Sequence, residues 1–187
     1  MIIYVLTKKL GYKMKKNDLL KKIIRDEPYF EIFLHKKYLC CLRRGNSFNW
    51  CGYVAVEENH PFYGKDYAEN IIVTDKELDN AVFNGDYVSM FIHQLSEEKN
   101  KNEIRLGLIA PAHGGLTYAR DYLIGCDKEI FHKKWWFGFD TAHCDDLLVS
   151  CGLLAEEREN GIYRDFEYTK KEVENLVDFF INHERKQ

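Results

Sequence analysis

Residues 29–56 read YFEIFLHKKYLCCLRRGNSFNWCGYVAV, two runs of aromatic and β-branched side chains separated by a polar segment. Tyr29–Leu42 predicts one long strand or a hairpin, and Trp50–Val56 predicts a further strand. Gly45 and Asn46 between them are typical of a hairpin turn, because both residues tolerate the backbone angles that tight turns require. Strands this close in the chain are expected to pair antiparallel.

The flanking sequence adds further strands and amphipathic helices. Strands are predicted at Met1–Thr7, Tyr87–Leu95, Glu103–Ile109 and Trp135–Phe139, and a loop at Asn59–Tyr67. Helices are predicted at Asp18–Asp26 and after the capping-box patterns Thr74–Glu77 and Thr169–Glu172. The last helix carries an apolar stripe formed by Val173, Leu176, Val177, Phe180 and Ile181. Because strands and helices come in mixed order, we expect an α+β fold, with a mostly antiparallel sheet packed by a few helices including a C-terminal helix.

Length and composition limit the kinds of protein this chain can be. Its 187 residues fit a single domain, residues 1–187, and its 45% hydrophobic content is that of a globular protein. A net charge of −3 provides no positive field for bulk nucleic-acid binding. No run approaches the ~20 apolar residues of a membrane span, and Met1–Thr7 lacks the basic flank of a signal peptide. We therefore expect a cytoplasmic protein with no membrane partner and with reduced cysteines.

The string HGGLTY, residues 113–118, is the first that can carry chemistry. Gly114 and Gly115 permit a sharp bend or the close approach of a ligand beside His113, because neither glycine has a Cβ. Exposed amides at such a bend can form an anion-binding concavity, and Tyr118 can contact a ring. A structural turn with a hydrogen-bonded histidine is the alternative interpretation.

The string WWFGFDTAHCDD, residues 135–146, is an apolar strand that ends in a polar cluster. Asp140, His143 and Asp146 follow the strand, at a place where side chains converge on a cleft. With His113 as a further member, this group could bind a divalent metal ion or transfer protons. In the alternative interpretation an aspartate caps the following turn and His143 is solvated.

Two arginines add to these candidates. Arg44 lies close to Trp50, and an arginine beside an aromatic ring suits a phosphate with a stacked base. Arg44 would then contact anionic groups and Trp50 a ring. In the alternative interpretation, which is favoured for Trp50 and left open for Arg44, Gly45-Asn46 is a hairpin turn and Trp50 belongs to the core. Arg164 is expected to pair with the acidic loop that ends at Asp146 and to stabilise that loop in a structural role.

A thiol mechanism is the least favoured chemistry. Cys51, His113 and Asp140 follow the chain order of several acyl-transfer enzymes in which an imidazole activates a thiolate. Such nucleophiles usually open a helix, where the N-terminal field lowers the thiol pKa. Cys51 enters a predicted strand instead.

Several strings together resemble those of a family of small phage and prophage proteins of uncharacterised function. The strings are WCGYV at 50–54, HPxYG at 60–64, HGGLTY at 113–118, WFGFDxAHxxD at 136–146 and YRD at 163–165. The similarity weakens at Cys144-Asp145, which favours Asp140, His143 and Asp146 over Asp145. The resemblance implies an accessory protein in a bacterial host cell, with a role in counter-defence by binding or destroying a host nucleotide signal.

Three functions are open on the sequence alone. The first is a pocket that binds a nucleotide-like phosphorylated small molecule, built across subunits of a homo-oligomer. Its expected contacts are Arg44, Trp50, His113, Gly114, Gly115, Tyr118, Asp140 and His143. The second is a phosphoesterase or other hydrolase that uses His113, His143 and Asp140 in catalysis, with a divalent metal held by these residues and Asp146. The third is an inhibitor that binds another protein and has no small-molecule site.

Overall fold

The computed structural model describes residues 21, 24–74, 103–123, 131, 133–143, 145–148 and 161–184. The predicted elements Met1–Thr7 and Tyr87–Leu95, and the helix after Thr74, lie outside these residues. Of the helix predicted at Asp18–Asp26, residues 21 and 24–26 are described and are helical.

Three consecutive antiparallel strands form one half of the main sheet. They are β1 (Phe30–His35), β2 (Tyr38–Arg44) and β3 (Trp50–Val56). The hairpin turn between β1 and β2 places Lys36 and Lys37 at φ of 45° and 71°, which is the conformation of a turn that matches the twist of the paired strands. Of the two alternatives predicted for Tyr29–Leu42, one long strand or a hairpin, the structure has the hairpin, and the further strand predicted at Trp50–Val56 is confirmed.

Two strands from later in the chain complete the main sheet. β7 (Trp135–Asp140) pairs with β3, and β6 (Tyr118–Arg120) pairs with β7, which gives the order β1-β2-β3-β7-β6 with antiparallel pairing throughout. A small second sheet pairs β4 (Asn70–Ile72) with β5 (Glu103–Arg105). With the helices α1 (Leu106–Ile109) and α2 (Phe166–Glu184), these strands confirm the α+β fold with a mostly antiparallel sheet.

The C-terminal helix α2 covers one face of the main sheet. Its apolar stripe is buried at Val173, Leu176, Val177 and Phe180. Gly52 on β3 makes room for this packing, because a Cβ there would meet the side chains of Val173 and Phe139 at 2.6 Å. Since side chains alternate along a strand, Trp50 lies on the same face as Gly52 and Cys51 lies on the opposite face.

The strand predicted at Glu103–Ile109 is only partly correct. Strand β5 ends at Arg105, and residues 106–109 form the single helical turn α1. The backbone amide of Leu106 donates to the Glu69 carbonyl, and that of Gly107 donates to the Tyr67 carbonyl at 2.7 Å. These bonds to the preceding loop replace the sheet pairing that would have continued the strand.

The predicted start of the last helix is wrong by one turn. Helix α2 begins at Phe166, and the Asp165 carboxylate accepts a hydrogen bond from the Tyr168 amide at 2.8 Å, which is the bond of an N-cap. Thr169 lies buried inside the first turn, where its hydroxyl donates to the Asp165 carbonyl at 3.0 Å. Asp165 therefore takes the role that the sequence pattern assigned to Thr169.

The loop predicted at Asn59–Tyr67 is confirmed, and a buried histidine ties it to α2. His60 Nδ1 accepts from the Phe62 amide at 3.1 Å, so Nε2 carries the proton and donates to the Phe180 carbonyl at 3.3 Å. Burial lowers the pKa of His60. This histidine is therefore a neutral structural residue.

Cys40, Cys41 and Cys51 form no disulfide bond, in agreement with the expectation of reduced cysteines. The other three cysteines, Cys126, Cys144 and Cys151, lie outside the described residues. In the part of the chain that the structure describes, no helix is both long enough and apolar enough to cross a membrane.

Candidate functional site

The His113 turn follows α1 and packs against it. Gly114 and Gly115 have φ of 67° and 86°, a region that favours glycine. A Cβ on Gly115 would lie 2.5 Å from the Gly107 carbonyl oxygen of α1. The two glycines therefore let the chain reverse in contact with α1 and present His113 at the bend.

The backbone amides of this turn serve mainly to hold it. The amide of Gly115 donates to the Ala112 carbonyl, that of Leu116 to Gly107, and that of Thr117 to the Gly138 carbonyl of β7. These three amides are already used within the protein. The anion-binding concavity considered from the sequence cannot be built from them.

The His143 loop begins where β7 ends. The Thr141 amide donates to the Trp50 carbonyl at 2.9 Å, and the Asp140 carboxylate accepts from the Ala142 amide at 3.0 Å. The resulting bend brings the His143 ring against the backbone of Gly114, where a Cβ would overlap the ring. Gly114 is therefore a packing requirement of His143.

His113 and His143, thirty residues apart in the chain, meet at this place. Their ring centroids are 5.0 Å apart with an interplanar angle of 71°. The two histidine-bearing turns therefore fold together, which the grouping of His113 with the His143 loop requires. Their roles toward a ligand stay predictions.

Asp146 is the buried anion that joins the two turns. It is 1% exposed, and its Oδ2 accepts hydrogen bonds from His113 Nε2 at 2.7 Å and from the His143 amide at 2.9 Å. Its Oδ1 accepts from Arg164 Nε at 3.0 Å, which confirms the expected pairing of Arg164 with the acidic loop. Burial alone would raise the pKa of Asp146, but the hydrogen bonds from these three residues outweigh it and lower the pKa to about 2. The group is a carboxylate at neutral pH.

Helix α2 adds two residues that the sequence interpretation missed. The Tyr168 hydroxyl lies 2.9 Å from His113 Nδ1, and the Tyr168 ring lies 4.7 Å from the Arg164 guanidinium carbon. Glu172, one turn further along the helix, is half-buried beside His113 and Arg164, and burial raises its pKa. In the sequence Glu172 was assigned to the capping box Thr169–Glu172, and Tyr168 was not singled out as a site residue.

The structure brings His113, His143 and Asp146 together as one candidate metal-binding group. One ligand atom from each residue can be chosen so that all three atoms lie within 4.8 Å of one another. Among the described residues, this is the group of His, Cys, Asp or Glu side chains whose ligand atoms lie close enough together to share one metal ion. Asp140 does not belong to it. The Asp140 carboxylate instead contacts the Thr117 hydroxyl at 3.4 Å.

Arg44 and Trp50 lie in a separate buried cluster. Arg44 is 3% exposed and Trp50 is fully buried, with the guanidinium carbon 4.1 Å from the centre of the indole ring. The guanidinium pairs with Glu27 and donates to the Tyr163 hydroxyl and the Phe48 carbonyl. Trp50 is therefore a core residue, and the Arg44 guanidinium is occupied by protein groups instead of facing an open site.

Tyr118, Asp140 and Cys51 belong to the sheet face opposite α2. The Tyr118 ring packs on Tyr53 at 5.3 Å, and its hydroxyl donates to the Tyr122 carbonyl. Burial, with the Asp140 carboxylate nearby, raises the pKa of the Cys51 thiol to about 11. Cys51 is therefore a protonated thiol at neutral pH, which argues against the thiol mechanism.

The contact between Gly114 and His143 can be tested by a matched pair of glycine substitutions. We expect Gly64→Ala to cost about 1–2 kcal/mol of unfolding free energy, because Gly64 has φ of 78° with open space around it. Gly114→Ala carries the same backbone strain and must also displace the His143 ring, so its loss should be larger. Chemical denaturation gives the two losses, and NMR of the imidazole nitrogens reports the ring. Equal losses with an unchanged His143 resonance would show that the contact is absent.

No protein-family model, curated protein or solved structure matches this chain.

Proposed function

We propose that this protein is a hydrolase that cleaves a phosphate ester in a small, nucleotide-like molecule at the group formed by His113, His143 and Asp146. The observation that carries the proposal is the meeting of two imidazoles, 5.0 Å apart, on one buried carboxylate. Imidazoles are the side chains that most readily exchange protons near neutral pH. A carboxylate that stays ionised can orient them and stabilise positive charge that develops on them.

The three residues differ in access, which suggests different roles. The His143 side chain is 36% exposed, whereas those of His113 and Asp146 are 12% and 2% exposed. His143 Nδ1 is itself a buried atom, so Nε2 is the nitrogen through which His143 can reach a bound molecule, while His113 and Asp146 form the fixed floor of the site. In hydrolysis a water oxygen would bond to phosphorus as its proton passes to a base, and the bond to the leaving oxygen would break as that oxygen takes up a proton. His143 is the proposed base.

The proposed substrate class comes from the resemblance to small phage proteins. The resemblance implies a role in counter-defence, in which the protein removes a nucleotide signal of the host. Hydrolysis of its phosphate ester would remove such a signal irreversibly. The site supports the reaction type and not the identity of the substrate. It holds two proton-transfer groups, an ionised carboxylate and the guanidinium of Arg164 within one hydrogen-bonded network.

Incubation of the full chain with candidate substrates tests the proposal. We would use cyclic and linear nucleotides, and bis(4-nitrophenyl) phosphate as a general diester, with and without added divalent cations. Mass spectrometry should show many product molecules per chain, with ¹⁸O from labelled water in the phosphate group.

Two other outcomes would replace the proposal with the alternatives from the sequence. Recovery of an intact nucleotide, in a fixed ratio to the chain after denaturation, would indicate a protein that sequesters its ligand. An absence of both turnover and binding across the panel would favour an inhibitor that binds another protein.

A further inference from the structure

We infer that His113, His143 and Asp146 form a binding site for one divalent ion of a first-row transition metal, with Zn²⁺ and Mn²⁺ as the main candidates. The inference deepens the proposed function and rests on it for the role of the ion. Binding of the ion can nevertheless be measured without any reaction.

The separations of the donor atoms fit a single ion after a small adjustment. His113 Nε2 and His143 Nδ1 lie 2.7 Å and 3.6 Å from Asp146 Oδ2, and one ligand atom from each of the three residues lies within 4.8 Å of the others. Ligands held by one zinc ion at about 2.0–2.2 Å lie about 3–4 Å apart. To reach this range, the 2.7 Å separation between His113 Nε2 and Asp146 Oδ2 must lengthen, and any separation near 4.8 Å must shorten, each by less than about 1 Å.

The types of ligand select the class of metal. Two imidazoles and one carboxylate suit zinc, manganese, iron or cobalt, whereas Mg²⁺ and Ca²⁺ prefer sites made of oxygen atoms. Three protein ligands leave a coordination position for water or substrate, which is the arrangement of catalytic rather than structural zinc sites. A bound ion of this kind would lower the pKa of its water and so supply the nucleophile for hydrolysis.

Arg164 fixes the orientation of the carboxylate ligand. Its Nε donates to Asp146 Oδ1 at 3.0 Å, and Oδ2 is the oxygen that faces both histidines. A carboxylate held through one oxygen presents the other to the ion in a defined direction. The guanidinium also keeps the group ionised, which metal binding requires.

Tyr168 is suited to serve both the empty and the metal-bound state of His113. In the neutral tautomer whose Nε2–H donates to Asp146, His113 Nδ1 accepts from the Tyr168 hydroxyl at 2.9 Å. When Nε2 binds an ion, the proton must lie on Nδ1, and the same hydroxyl can accept it because a phenol both donates and accepts. Partners of this kind on the second ring nitrogen fix the tautomer of metal-binding histidines.

The experiment uses the full chain after treatment with a chelator. Zn²⁺, Mn²⁺ and Mg²⁺ are titrated separately by calorimetry, and Co²⁺ is titrated while its visible absorption is recorded. We expect one transition-metal ion per chain, a cobalt spectrum of nitrogen and oxygen ligation, and much weaker binding of Mg²⁺. A lack of uptake by folded protein would overturn the inference.

Variants locate the ion. His143→Ala and Asp146→Asn should abolish the high-affinity event, and Tyr168→Phe, which keeps the ring, should weaken it about 10- to 100-fold. His35→Ala is the matched control, because His35 lies on β1, three strands away from β7 in the sheet. Circular dichroism establishes that each variant is folded. Uptake that survives both His143→Ala and Asp146→Asn would overturn the assignment.

The failure of this inference differs from the failure of the proposed function. Stoichiometric binding of the ion without turnover of any phosphate ester would support the site and remove the hydrolase. Turnover by chelator-treated protein that takes up no ion would overturn the site and leave the hydrolase, with His143 as a metal-free base.

Discussion

Replacement of His143 by alanine is expected to reduce phosphate-ester hydrolysis by roughly 100- to 10,000-fold, the range associated with a positioned proton-transfer group. His143 is the most exposed member of the group, and its ring lies 5.0 Å from that of His113. Its removal takes away the base of a metal-free site, or one of the three ligands of a metal-bound site, so hydrolysis should fall by either route. Because Asp146 keeps its bonds to His113 and Arg164, the rest of the network should survive. Initial rates with bis(4-nitrophenyl) phosphate measure the loss.

Two controls separate this effect from general damage. His35→Ala removes an imidazole that contacts Glu174 at 3.9 Å, and it should leave the rate unchanged. The unfolding midpoint of His143→Ala should stay close to that of the unsubstituted chain, because replacing a partly exposed side chain changes the free energy of unfolding only a little. If both alanine variants hydrolysed the ester equally well, His143 would have no part in the reaction.

Replacement of Glu27 by alanine is expected to lower the free energy of unfolding by about 3–5 kcal/mol. The Glu27 carboxylate pairs with the Arg44 guanidinium, whose side chain is 1% exposed. It also accepts hydrogen bonds from Trp50 Nε1 at 3.0 Å and from the Tyr163 hydroxyl at 2.8 Å. Removal of the carboxylate leaves a buried charge and two buried donors without this acceptor. Urea denaturation measures the change.

The matched control is another glutamate whose ion pair is exposed. Glu57 pairs with Lys134, and the Glu57 side chain is 65% exposed, so Glu57→Ala should cost no more than about 1 kcal/mol. The double replacement Glu27→Leu with Arg44→Met should recover part of the stability, because an apolar pair removes the unpaired charge. A small loss for Glu27→Ala alone would mean that the buried pair contributes little.

The strands that are neighbours in the sequence were predictable, because the residues that specify them and their turns lie within one short stretch of the chain. The hairpin β1–β2 and strand β3 follow from residue types within the stretch 29–56. Strand β6, with only three residues, carries too short a pattern to distinguish it from a loop. The start of α2 was misplaced because Asp165 and Thr169 are both good capping residues, and only the packing of Thr169 inside the helix decides between them.

The site was predictable in its residue types and only partly in its geometry. His143 and Asp146 share a short loop, so their proximity follows from spacing alone. The approach of His113 depends on the pairing of β6 with β7 and on the packing of Gly114, which are tertiary contacts. Asp140 has the same chemistry as Asp146, but its carboxylate turns to the Ala142 amide instead. No local pattern distinguishes the two aspartates.

The hydrogen bond between Tyr168 and His113 has a consequence for the growing chain on the ribosome. Tyr168 is made 55 residues after His113, a delay of roughly 3–10 seconds at ordinary rates of translation. Arg164 comes only four residues before Tyr168, so both residues that orient the site arrive together with the helix that covers the sheet. A product of premature termination would therefore lack the supports of the site and would expose an apolar sheet surface to proteases and aggregation.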